Sequence, residues 1–294
     1  MQYQLKNQQL TIITESNGAE LISVIGLEND QDINNGQGYQ YLWQADPKYW
    51  NRSAPVLFPF VGRLKNDRYT FSGQTFFMPQ HGFARDTEFE IVEHTDLKII
   101  YKLVDNDSTR AVFPFKFELF VTYQLVDNEL ITKFLVVNKT DGPIYFSVGG
   151  HPGFNINFEN DYLAIDPPKK YMKIPFNNGL VNPKGHTEFD AEVAIPISYK
   201  MFENDAEIIK NDAGELQIVL GDKNELHGVS LKADADFFGF WTPPGKNASF
   251  VAIEPWWGIA DSIDANGRLV DKYAIRHLNQ INQKFEAEYS TIFF

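Results

Sequence analysis

The chain has 294 residues, a length that suits one large β domain or two medium ones. Acidic residues outnumber basic ones 39 to 26, for a formal charge of −13, and no basic run offsets it, so nucleic acid and anionic membrane surfaces are excluded as partners. The absence of cysteine excludes disulfides, thiolate metal sites, Fe–S clusters and cysteine nucleophiles.

A hydrophobic fraction of 43% with 25 Phe supplies a core and argues against disorder. The opening MQYQLKNQQLTIITESNG has no basic segment followed by an apolar one. No stretch approaches the roughly 18–20 apolar residues of a membrane span. A cytoplasmic protein is expected, with its oligomeric state left open.

The elements follow in chain order. Asp46 to Asn51 reads as a short helical piece. Arg68–Phe71 and Gln74–Phe77 read as a hairpin turning at Ser72-Gly73. Strands are predicted at Glu88–Glu93 and Lys98–Val104. Phe117–Leu125 places Phe117, Leu119, Val121, Tyr123 and Leu125 on one face, and Leu130–Val137 returns after the Asp127-Asn128 turn. Further strands are expected at Ile144–Val148, Glu215–Leu220, Phe237–Trp241 and Phe250–Ile253, and a last short helical piece at Lys272–Leu278. So many short strands with turn signals between them predict an all-β fold. It is a large antiparallel β-sandwich with few short helices, taken as a single domain over 1–294.

Candidate chemistry lies between these elements. His81 falls between Pro79 and Gly82. His151 follows Gly149-Gly150 and precedes Pro152-Gly153, a context that pins the backbone and pre-orients the ring. Glu254 ends the apolar strand Phe250–Ile253, flanked by Pro255 and two Trp, where a solvated surface role fits poorly. Arg63 closes the apolar run Phe58–Gly62, and Asp205 sits in a turn-forming Asn-Asp. Each also admits a structural role: a loop histidine bonded to backbone, a rim ion pair under the tryptophans, a strand-end arginine, a capping aspartate. Trp241, Trp256 and Trp257 offer apolar faces to a sugar or pack in the core. Metal, phosphate-loop, dinucleotide and G-x-S-x-G patterns are missing from the sequence. What histidine and carboxylate do together without a cofactor is proton transfer.

Gly62-Arg63, His81-Gly82, Gly150-His151-Pro152-x-Phe154-Asn155 and Glu254-Pro255-Trp256, in that order along nearly the whole chain, resemble the aldose 1-epimerase (galactose mutarotase) family. The wording APVLFPFVGRLKND, MPQHGFARD and SVGGHPGFN is similar to its LacX-like branch. The resemblance implies a supersandwich that exchanges the α- and β-anomers of an aldose with no cofactor and no metal. By the same resemblance His151 is the general acid, Glu254 the general base, His81 and Arg63 position the sugar, and Asp205 holds its hydroxyls. Three rival readings stand beside it. One is a carbohydrate-binding sandwich without catalysis. Another is a hydrolase using Asp205 and Glu254. The third is a mutarotase for a phosphorylated hexose, suggested by Arg63, Lys65, Arg68 and Arg85.

Overall fold

The computed structural model describes residues 1–27, 38–224 and 227–294. Along Phe117–Val126 burial alternates residue by residue, with Phe117 through Leu125 inward on the odd positions, as a pleated strand with one face on a core requires. Its partner Glu129–Asn138 pairs in register from Val126↔Glu129 to Phe117↔Asn138. Among the described residues these two lie within a nine-stranded antiparallel sheet. Lys98–Val104 and Glu90–His94 flank them on one side, and Lys284–Phe293, Gly228–Ala233, Leu216–Asp222, Asp161–Asp166 and Ile195–Pro196 on the other.

A seven-stranded sheet, again among the described residues, contains Phe250–Trp257, Phe237–Trp241, Glu207–Lys210, Lys170–Lys173 and Thr187–Asp190, with Val148–Gly149 and Gly153–Asn155 both paired to Phe250–Trp257. The two sheets share one apolar cluster. Phe134 of the first meets Trp257 of the second edge to face, with ring centroids 6.3 Å apart. The fold is therefore an all-β antiparallel sandwich. No helix among the described residues is long and apolar enough to cross a membrane.

Three local expectations are corrected, and one helix is added. Asp46 to Asn51 is a single turn, in which Tyr49 N and Trp50 N both bond to Asp46 O; the Trp50 carbonyl then accepts from Trp43 Nε1 instead of continuing a helix. Lys272–Leu278 is a turn followed by the strand Arg276–Leu278, captured by Ile144–Phe146. Ile144–Val148 is split at Ser147, whose N–H donates to Pro59 O and whose Oγ accepts from Val61 N; Val148–Gly149 then joins the other sheet. The helix Asp107–Val112 was not expected; Asn106 and Thr109 cap it reciprocally.

Candidate active site

The strand Phe250–Trp257 is buried at every position, because Phe237–Trp241 covers one edge and the two short strands around His151 cover the other. Glu254 lies inside this strand, not at its end as the sequence suggested, and is 2% exposed. Gly149 pairs with Trp256 and Gly153 with Ala252, so the intervening Gly150–Pro152 segment runs beside the strand opposite Glu254. Two backbone bonds hold it there, Gly150 N to Pro255 O at 3.1 Å and Ile253 N to Pro152 O at 3.1 Å. His151, 7% exposed, is thereby set with Nε2 3.0 Å from Glu254 Oε2. The approach is off the axis of a hydrogen bond, and Glu254 Oε2, His151 Nδ1 and Trp256 Nε1 are buried without a hydrogen-bond partner. Such groups cost stability unless something completes them.

His81 adopts φ +69° in a tight turn. Its ring is fixed by Gly62, whose N–H donates to Nδ1 at 3.1 Å while His81 N donates to Gly62 O at 2.8 Å. The rings of His81 and His151 stand edge to face with centroids 5.6 Å apart. Asp205 follows the 3-10 turn Tyr199–Phe202 at φ +87°, its Oδ1 accepting from Ala206 N at 3.0 Å. His81, His151, Asp205 and Glu254 all line one cavity of about 370 Å³, within the size range of small-molecule sites.

Arg63 stands outside this set. Gly62 lines the cavity, but the Arg63 side chain is 44% exposed and its guanidinium grips Asp67, at 2.7 Å from Nε and 3.0 Å from Nη2. A carboxylate four residues on has drawn the charge away. The cation on the cavity wall is Arg85, which donates from Nη2 to Gln80 O and whose buried Nε, 3.7 Å from Asp86 Oδ2, has no hydrogen-bond partner. Its signal in sequence was membership of the basic group near His81. Trp50, Gln80, Phe176, Pro244 and Ala260 also line the cavity without any sequence signal. Trp50 lies over His151, with centroids 4.8 Å apart. Of the three candidate tryptophans, Trp241 and Trp256 face the cavity, whereas Trp257 packs in the core.

Burial dominates the electrostatics. It pushes the Glu254 carboxyl well above the usual range, helped by the Asp205 charge and opposed by the Trp256 side chain. Burial lowers His151 to about 3, with the Arg85 and Arg52 charges adding to the fall. His81 is lowered by burial and by His151, Arg85 and Arg52. Asp205 is raised by burial, against hydrogen bonding from Ala206 and Trp241. Burial thus disfavours the charged form of both members of the His151–Glu254 pair. A wider groove of about 520 Å³ crosses the solvent side of the nine-stranded sheet. It is lined by the Lys133–Glu288 ion pair and other surface charges, without a histidine, so the smaller cavity is the candidate site.

The comparisons agree with this architecture. The family model described as Aldose 1-epimerase matches residues 1–266. The chain is 30% identical over 290 residues to protein LacX of Lactococcus lactis subsp. lactis, covering 92% of this chain and 93% of that one. The crystal structure of a galactose mutarotase related enzyme from Lactobacillus acidophilus is 38% identical, with a TM-score of 0.95 over 100% of this chain and 97% of the other. A galactose mutarotase-like protein from Lactobacillus casei ATCC 334 is 26% identical, with a TM-score of 0.87 over 100% of both chains. Matched along most of its length by sequence and throughout by fold, the chain belongs to the aldose 1-epimerase family.

Proposed function

We propose that the protein interconverts the α- and β-anomers of an aldohexose, without a cofactor, by exchanging protons between the sugar and the His151–Glu254 pair. The observation that carries this reading is the 3.0 Å approach of His151 Nε2 to Glu254 Oε2, in a cavity with aromatic walls and unsatisfied polar atoms.

Ring opening needs a proton delivered to the ring oxygen as the C1–O5 bond breaks, and a proton removed from the C1 hydroxyl as the aldehyde forms. Rotation about C1–C2 and reclosure from the other face run both transfers backwards. One proton on the pair is enough. With it on His151, Glu254 is the base; one transfer within the pair exchanges the roles. Burial favours the uncharged arrangement, and hydrogen bonds from sugar hydroxyls to the carboxylate favour the charged one in which His151 is the acid. His81, with Nδ1 occupied by Gly62 and Nε2 3.2 Å from the Gln80 amide, shares with Gln80 the wall that meets the sugar. Arg85 and Asp205 supply a donor fork and a hydroxyl acceptor on the cavity walls.

The test is polarimetry with freshly dissolved α-D-glucose and α-D-galactose. The protein is expected to accelerate the decay of optical rotation. Binding without acceleration would instead make it a carbohydrate-binding module. A second reading, with a phosphorylated aldose as substrate, draws on Arg85, which of Arg63, Lys65, Arg68 and Arg85 is the one lining the cavity. Anomer exchange by NMR saturation transfer over free and phosphorylated aldoses separates the two.

A further inference from the structure

Away from the reacting pair, one buried ion pair has no part in the chemistry above. The side chains of Lys272 and Asp261 are 3% and 4% exposed, with Nζ 3.0 Å from Asp261 Oδ1 and 2.6 Å from Ile259 O. Replacing a buried pair of this kind by apolar residues is often neutral or stabilising, so stability alone is a weak reason for its presence. Two further bonds of Asp261 lead to the segment beside the cavity wall. Asp261 Oδ2 accepts from Lys65 N at 2.9 Å, and Asp261 N donates to Arg63 O at 2.8 Å. Ala260, beside it, packs so closely that a Cβ on Gly62 would lie 2.5 Å from its own. Gly62, gripped between Ala260 and His81, carries the N–H that bonds His81 Nδ1.

We infer that the Lys272–Asp261 pair is a positioning device for the sugar cavity: it clamps the 62–65 segment against Ala260 and so holds the orientation and tautomer of the His81 ring. The inference rests on the proposed function only in taking His81 as a sugar-contacting group.

Lys272→Met is compared with the wild type in two measurements. In long-range ¹H–¹⁵N spectra, His81 is assigned by its absence from His81→Gln. The wild type is expected to show one neutral tautomer protonated on Nε2. The variant is expected to show its two nitrogen shifts drawn together, as the tautomers mix. By polarimetry kcat/KM is expected to fall about tenfold or more, the scale of a displaced contact group. Because Lys272→Met leaves Asp261 buried and unpaired, the double variant Lys272→Met with Asp261→Asn removes both charges and is read in the same way. Unmoved His81 shifts together with kcat/KM within about twofold of wild type would overturn the inference and leave the proposed function standing. A wild type that accelerates no aldose would instead defeat the proposed function, while the histidine spectra still decide the inference.

Discussion

The indole ring of Trp256 fills the space a side chain on Gly149 would need: a Cβ there would lie 2.8 Å from Trp256 Cδ1. The contact joins the strand that carries Glu254 to the glycine pair that delivers His151, so the spacing of those two side chains depends on a missing methyl. Gly149→Ala is expected to cost about 1–3 kcal/mol by overpacking and to lower kcat by about 10²-fold through displacement of His151. Thermal melts and polarimetry on the same preparation check both effects; a variant with native kcat would show that this packing does not set the spacing.

Removing either proposed proton carrier is expected to abolish most turnover with the fold intact. His151→Asn and Glu254→Gln should each lower kcat by about 10²–10⁴. Near-native mutarotation by either would refute their assigned roles.

Asp205 raises the affinity of Glu254 for its proton. Without that charge the pair loses its last proton at lower pH. The alkaline limb of the kcat/KM profile should therefore move toward acid in Asp205→Asn. Loss of a charged hydroxyl acceptor should also lower kcat/KM by about tenfold or more. A profile recorded from pH 5 to 10 shows the limb, and an unmoved limb would mean that the two carboxyl groups do not interact in the working enzyme.

Acid should destabilise the fold through its buried histidines. The unfolded chain protonates histidine below about pH 6.5, whereas folded His151 stays neutral down to about 3 and His81 is lowered as well. Between those values the unfolded state binds more protons, so stability falls as pH falls, by about 2 kcal/mol at pH 5 for His151 alone. Glu254, with its carboxyl raised, acts in the opposite sense above its unfolded value near 4.3. Tm at pH 7.5 and pH 5 should differ less in His151→Asn than in wild type, and more in Glu254→Gln. Equal differences in all three proteins would contradict the buried-neutral assignment.

The two arginines separate cleanly. Arg85→Met should raise KM and lower kcat, because Arg85 lines the cavity. Arg63→Met should stay within about twofold of wild type, since it removes only an exposed pair with Asp67, worth about 0–1 kcal/mol. Steady-state kinetics of the two variants side by side would reverse this assignment if Arg63→Met proved the more damaging.

The β-sandwich was legible because its signal is local. In Phe117–Val126 each residue faces opposite to its neighbour by backbone geometry alone, so period-two burial is written directly in the order of side chains. Lys98–Val104 and Phe237–Trp241 fall on their predicted bounds for the same reason. Lys272–Leu278 misled because its apparent helix lost to a strand partner, Ile144–Phe146, remote in sequence.

The layered all-β fold was readable from residue order alone, as were His81, His151, Asp205 and Glu254 as candidate site residues. Alternation, turn residues and the glycines beside a histidine all act within a few residues of chain. Long-range packing brings His151 against Glu254, sets Glu254 within a strand, and puts Arg85 rather than Arg63 on the cavity wall. Those outcomes depend on pairing distant strands and on which nearby carboxylate captures a long charged side chain, and neither is encoded in local spacing.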